Sequence, residues 1–354
     1  MNGLDKIISL EKGRQTNAEM TKHHFLQQLF WECTLKCNLT CKHCGSSCKV
    51  DDTRSEMPLK DFICVLDEIK QNITHPLFVI TTGGEPLLRK DLCECGKEIK
   101  KRGFYWGLVT NGMLLNSNVF DKLTESGLDS ISVSLDGMRE EHNWMRGNNN
   151  SFDSVLNAID IIISSQSNLT WDVITCINKR NLHQLPEMMN LLINHHVKRW
   201  KIFTVFPIGR ALDYPEMELN KEELRELLDF IAAARKKNIM KISFGCEGFL
   251  GPYEYEVRDN QHFCAAGINV ASILHDGSIS GCLCIRSNHK QGNIYTDSFV
   301  DVWNNKFIKY RNVAWKKTGA CTDCEVWRWC KGDGMHLRDD NGNIPQCLYR
   351  KLYH

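Results

Sequence analysis

Apolar and polar positions along the chain follow two alternating patterns. Five runs rich in β-branched and aromatic residues, at 77–81, 105–110, 129–135, 171–177 and 199–206, are continuous enough to predict strands buried on both faces, as in a parallel sheet. A sixth run, 25–32, comes first and leads straight into Cys33 and Cys37. Between the runs, apolar residues recur at helical spacing. Leu59, Phe62, Ile63, Leu66 and Ile69 lie behind a first-turn Pro58; Val155, Leu156, Ile159, Ile162 and Ile163 follow Ser151; Leu224, Leu227, Leu228 and Ile231 form a helix that ends near Asn238. Strand centres recur about every 30 residues, the size of a right-handed βαβ unit. After about Lys241 the texture changes to short segments broken by Gly, Asp and Asn, with eight of the 17 cysteines between Cys246 and Cys347. The expected organisation is an extension over 1–24, an α/β domain over 25–240 and a second, metal-dependent domain over 241–354.

Composition narrows the function classes. In 354 residues, 44 basic side chains meet 43 acidic ones for a net charge of +1, which points to neither nucleic acid nor an anionic membrane as partner. The mixed charges of residues 1–24 do not form a signal peptide, and no run approaches the roughly 18 apolar residues of a membrane helix, so a cytoplasmic location is expected. In a reducing compartment, so many thiols serve metal binding or catalysis more often than disulfides.

Cys37, Cys41 and Cys44 stand at spacings of three and two intervening residues, on a loop after the first strand. Three thiolates neither close a tetrahedral zinc site nor fill a four-iron cubane, and the incomplete shell leaves a metal position for substrate or cofactor. A structural zinc loop completed by Cys33, His43 or Cys48 is the alternative. The three-cysteine spacing resembles the signature of the radical S-adenosylmethionine (SAM) superfamily. The resemblance implies a partial (β/α)6 TIM-like barrel, a [4Fe-4S] cluster whose open iron is chelated by SAM, and reductive cleavage of SAM to a 5′-deoxyadenosyl radical that abstracts hydrogen from substrate. It also implies a low-potential electron donor such as flavodoxin or ferredoxin.

Further matches fall at C-terminal strand ends, where a barrel places its site. Gly83, Gly84 and Glu85 end the second strand, and the glycines permit close backbone approach; similar enzymes use this stretch for the SAM amino group. Asn111 follows the third strand. Ser134 and Asp136, ending the fourth, are expected at the ribose, and Arg146 at the SAM carboxylate. Gly209, after the sixth strand, is expected near the adenine.

Cys264, Gly277, Cys282, Cys321, Cys324, Cys330 and Cys347 are spaced like the SPASM extension of peptide-modifying radical SAM enzymes, giving a C-terminal small α+β auxiliary iron-sulfur domain. The last four make a complete thiolate set for one auxiliary [4Fe-4S] cluster; a zinc site shares this spacing. Where the family usually carries another cysteine, this chain has Gly334. The second auxiliary cluster is thereby left incompletely ligated by Cys264 and Cys282, with Cys284, Cys246 and His336 as candidates to complete it. Cys64, Cys93, Cys95 and Cys176 read as buried small hydrophobes, while Cys33 and Cys48 flank the catalytic loop without a role.

The resemblance points to a peptide or protein substrate that receives a crosslink or oxidation. Anaerobic formylglycine formation is an alternative, weakened because Leu283 stands where those enzymes carry an acidic residue after the cysteine equivalent to Cys282. Asp276, Glu247 and His275 are candidate bases. A non-catalytic iron-sulfur electron carrier or scaffold is the alternative from another class.

Overall fold

A computed structural model describes residues 3–54, 56–165, 167–285, 289–339 and 341–354. Seven strands lie parallel and in sequence order: β1 (Gln28–Thr34), β2 (Phe78–Gly83), β3 (Tyr105–Thr110), β4 (Ser130–Ser134), β5 (Thr170–Ile177), β6 (Arg199–Thr204) and β7 (Lys241–Phe244). All six expected strands are present, with ends shifted by no more than three residues. Three more strands, β8 (Val270–Ile273), β9 (Ser278–Ser280) and β10 (Gly292–Asn293), extend the other edge: β8 runs parallel to β1, with Gln28 opposite Val270, and β9 and β10 return antiparallel. The sheet order β10-β9-β8-β1-β2-β3-β4-β5-β6-β7 leaves the barrel open. Strands β7 to β10 were not expected, because segments of two to four residues are too short to show a period.

Helices α1 (Gly3–His23), α2 (Leu59–Asn72), α3 (Leu92–Lys101), α4 (Ser117–Glu125), α5 (Arg139–Arg146), α6 (Ser151–Ser164), α7 (Leu185–Asn194) and α8 (Lys221–Lys237) precede β7; α9 (Phe299–Asn305), α10 (Ile308–Arg311), α11 (Trp327–Cys330) and α12 (Leu348–Tyr353) follow β10. Helix α8 starts at a capping box of Asn220 and Glu223 and stops at Asn238 in the left-handed conformation, φ 51°. Helix α1 has no apolar stripe and takes its order from tertiary partners. Tyr255 Oη donates to Ser9 O at 2.8 Å, Arg328 Nε donates to Glu11 at 3.0 Å, and Lys6 pairs with Glu256.

The core lies between the sheet and its helices. Trp31 of β1 stacks on Phe62 of α2 with ring centroids 3.9 Å apart. The buried indoles of Trp106 and Trp200 donate to Thr81 Oγ1 at 3.1 Å and Thr175 Oγ1 at 2.8 Å, so neither burial leaves an orphaned donor. Cys95 is buried as expected and Cys93 and Cys176 partly so, but Cys64 is exposed on the outer side of α2. No described helix is long and apolar enough to cross a membrane.

Candidate functional site

Strand β1 delivers the chain into the loop that carries Cys37, Cys41 and Cys44. Cys37 and Cys41 are buried and pack with Leu35, Leu39 and Cys48, with Cys44 and Met113 at the margin. Bonds from distant elements hold the loop. Cys37 N–H donates to Lys49 O at 3.0 Å, Lys42 N–H to Met145 O at 2.8 Å, and Arg210 reaches Cys41 O and Cys48 O at 2.8 Å each. Burial pushes the Cys37 thiol up to about 12 and also raises Cys41, against the pull of Arg146. The Cys44 thiol is drawn down to about 5, chiefly by the hydrogen bond with Cys48. Cys48, which the sequence reading left beside the loop or in the zinc alternative, thus belongs to the loop.

Several expected SAM-contact residues sit against this loop. Gly83, at φ 138°, and Gly84 bring the end of β2 so close that an added Cβ would stand 2.1 Å from Thr34 O or Lys36 O respectively. Gly84 and Glu85 N–H groups donate to those same oxygens at 2.8 Å. The buried Glu85 carboxylate accepts from Thr110 Oγ1 at 2.7 Å, Asn111 N–H at 2.8 Å and Leu87 N–H at 3.1 Å, tying β2 to β3. Asn111 Nδ2 donates to Asn38 Oδ1 at 2.8 Å, inside the cysteine loop. A Cβ at Gly209 would lie 2.5 Å from Cys44 O. Glycine is therefore required at 83, 84 and 209 for contact with the loop backbone.

Behind Cys41, Arg146 Nη2 lies 2.5 Å from Asp136 Oδ2, both side chains being buried, and Arg146 Nη1 is 3.7 Å from Cys41 Sγ. Asp136 Oδ1 accepts from Cys176 N–H at 2.8 Å, and Asp136 N–H donates to His142 Nδ1 at 2.9 Å. Burial works against the Asp136 charge, but Arg146, His43 and His142 hold its carboxyl below the usual range. Burial lowers His43 to about 4. Arg146 Nε and His43 Nδ1 are buried without a hydrogen-bond partner among the described residues. Polar atoms orphaned beside a three-thiol loop fit a charged, polar cofactor. Ser134 stands half-buried at the end of β4.

Cys321, Cys324, Cys330 and Cys347 line one cavity with Val326, Trp327, Asp333, Ile344, Tyr349 and Arg350. Burial pushes Cys347 up to about 11 and raises Cys330 further, while Arg338 Nη2 donates to Cys321 Sγ at 3.5 Å. Four thiols lining one cavity fit an iron-sulfur cluster. A third group forms where β7 and the β9 turn meet. Cys282 and Cys284 are hydrogen-bonded to each other, Cys246 interacts electrostatically with Cys264, Cys282 and Cys284, and Cys264 Sγ accepts from Met335 N–H at 3.4 Å. Among the described residues no three His, Cys, Asp or Glu side chains converge on one ion position. The ligand sets therefore rest on loop placement and burial.

The candidate bases separate. Asp276 lies in the β8–β9 turn, accepting from Ser278 N–H at 3.0 Å and Lys290 Nζ at 2.9 Å. His275 lies 3.0 Å from buried Glu32 of β1. Glu247, just beyond β7, is buried with both oxygens 2.9 Å from Thr204 N, and burial lifts its carboxyl to about 7.

The radical SAM superfamily profile matches residues 31–192, and the SPASM iron-sulfur cluster-binding domain profile matches residues 264–325. The chain is similar to an AdoMet-dependent heme synthase of Oleidesulfovibrio alaskensis, 25% identical over 90% of this chain and 86% of that protein. It is similar also to a mycofactocin maturase of Mycolicibacterium smegmatis, 27% identical over 90% of this chain and 82% of that one. Among solved structures, native anSMEcpe with bound AdoMet superimposes with a TM-score of 0.71 at 18% identity, over 92% of this chain and 94% of that chain. That likeness shows a shared open barrel.

Proposed function

We propose, for a chain that is a radical SAM protein with a SPASM extension and whose cofactors are accordingly SAM and [4Fe-4S] clusters, one of them auxiliary, that it modifies a residue within a peptide or protein. Bound at the cysteine loop, cluster and SAM supply a 5′-deoxyadenosyl radical and hence hydrogen abstraction. The observation that carries this reading is the loop itself: three thiols at the C-terminal end of β1, with the Arg146–Asp136 ion pair and the unpartnered Arg146 Nε and His43 Nδ1 behind them.

In this reading Cys37, Cys41 and Cys44 hold the cluster and leave one iron for SAM. Arg146, fixed by Asp136, directs its guanidinium at Cys41 and balances charge where thiolates gather. Ser134 and the Gly83–Gly84 backbone face SAM, while Glu85, its carboxylate committed to protein donors, positions Asn111 and the glycines. Cys321, Cys324, Cys330 and Cys347 enclose the auxiliary cluster, which would accept the electron from an oxidised substrate radical. The donor of the first electron would be a flavodoxin or ferredoxin. Similarity to a PqqA peptide cyclase of Bradyrhizobium diazoefficiens, 25% identical over 91% of this chain and 86% of that protein, supports a peptide substrate.

A second reading has a specific support: the heme synthase matches 90% of this chain. Anaerobic incubation with dithionite and SAM tests the common chemistry, since 5′-deoxyadenosine must form and must be lost in Cys41→Ala. Mass spectrometry of candidate peptides from the same reaction tests the finer reading. SAM consumption driven by a tetrapyrrole, with every peptide unchanged in mass, would replace peptide modification by heme synthesis.

A further inference from the structure

The third thiol group lacks the cysteine that the SPASM resemblance implies at 334, and the structure shows what occupies that space. A Cβ built on Gly334 would stand 2.8 Å from His336 Cε1, 2.9 Å from Nδ1 and 3.7 Å from Nε2. The imidazole therefore fills the volume into which a side chain at 334 would project. Between these two residues, Met335 N–H donates to Cys264 Sγ at 3.4 Å, which seats that thiol against the same short turn, Met335–Leu337. The ring meets Phe206, in the loop after β6, edge-on at 5.6 Å, so it faces the end of the barrel that holds the cysteine loop.

Imidazole is an established iron ligand, and in two-iron clusters histidine in place of cysteine raises the reduction potential because a neutral donor replaces a thiolate. We propose that His336 is the nitrogen ligand of the barrel-proximal auxiliary iron-sulfur cluster, taking the coordination position of the cysteine absent at 334, beside Cys264 and Cys282. The substitution leaves this cluster one negative charge poorer than an all-thiolate one. It also suits a cluster that receives an electron rather than supplies one. Cys284 and Cys246 lie in the same group, and each is the all-thiolate rival to His336.

Pulsed EPR of the dithionite-reduced, SAM-free enzyme separates these cases without any mutation. Protein grown with ¹⁴N-histidine should show a nitrogen coupling that converts to the ¹⁵N pattern when histidine alone is ¹⁵N-labelled. The coupling should be lost in His336→Ala, while the paired change Gly334→Cys with His336→Ala should restore the iron content without nitrogen coupling. Absence of a histidine coupling in the wild type, its persistence in His336→Ala, or loss of the cluster only in Cys246→Ala or Cys284→Ala would overturn the assignment. The assignment rests on a second auxiliary cluster being present. Iron at about eight per chain, two [4Fe-4S] clusters, with SAM cleavage intact would defeat it and leave the proposed activity standing.

Discussion

Arg146 and Asp136 form a buried ion pair, 2.5 Å between Nη2 and Oδ2, while the other terminal nitrogen of the guanidinium lies 3.7 Å from Cys41 Sγ. Neither charge has bulk water to fall back on. Removing one partner strands the other, which in buried pairs costs about 3–5 kcal/mol. Asp136→Ala and Arg146→Ala should each lower the unfolding free energy by that order. The double variant should lose clearly less than the sum, because it strands no charge. Anaerobic denaturant titration of all four proteins measures the coupling, and strict additivity would show that the pair does not act as a unit.

Gly83 and Gly84 make a separate claim on the loop. At φ 138° Gly83 is in a conformation that L side chains rarely adopt, and its Cβ would meet backbone, not a flexible side chain. Strain of this kind costs about 1–3 kcal/mol before any clash is counted. Gly83→Ala and Gly84→Ala should therefore displace the Thr34–Lys36 segment and empty the first cluster site while sparing the four-thiol cavity. Iron analysis should fall by about four per chain, one cubane, with 5′-deoxyadenosine formation abolished. Full iron content with normal SAM cleavage in either variant would show that the close packing is dispensable.

The parallel sheet was legible because β1 to β6 are buried on both faces and carry unbroken apolar runs. The thiol sets were legible because ligand spacing is local. What stayed hidden depends on residues far apart in sequence. Arg210 reaches Cys41 O across 169 positions of chain. That Gly209 packs against the Cys44 carbonyl, where a Cβ would go, was hidden as well. Helix α1 was invisible because its order comes from contacts with Tyr255, Glu256 and Arg328, not from its own pattern.

Glu247 gives stability a specific pH dependence. Burial lifts its carboxyl from 4.5 to about 7, so the folded protein holds a proton that the unfolded chain releases. The stability from that proton is fully present below about pH 4.5 and is lost as pH rises through about 7. The difference in unfolding free energy between wild type and Glu247→Gln should therefore shift against the wild type over that window. A difference that is flat, or that moves in the wild type's favour between pH 5 and 8, would place Glu247 in a more polar setting than the structure gives it.

The three thiols of the first site should not ionise alike. Cys44 is drawn down to about 5, chiefly by the Cys48 thiol, whereas burial pushes Cys37 up to about 12 and raises Cys41 as well. Iron binding needs the deprotonated sulfur. Cys44 should therefore meet iron as a ready ligand, and Cys37 and Cys41 should surrender their protons to the incoming metal. Alkylation of metal-free protein by iodoacetamide, resolved by peptide mass spectrometry, reads each thiol separately. Cys44 should react at a rate that no longer changes with pH above about 6, while the Cys37 rate climbs roughly tenfold per unit, as expected well below a thiol's pKa. In Cys48→Ala the Cys44 plateau should move to higher pH, because burial then acts without the compensating hydrogen bond. Identical profiles for Cys37 and Cys44, or a Cys44 profile indifferent to Cys48→Ala, would remove Cys48 from the chemistry of the loop.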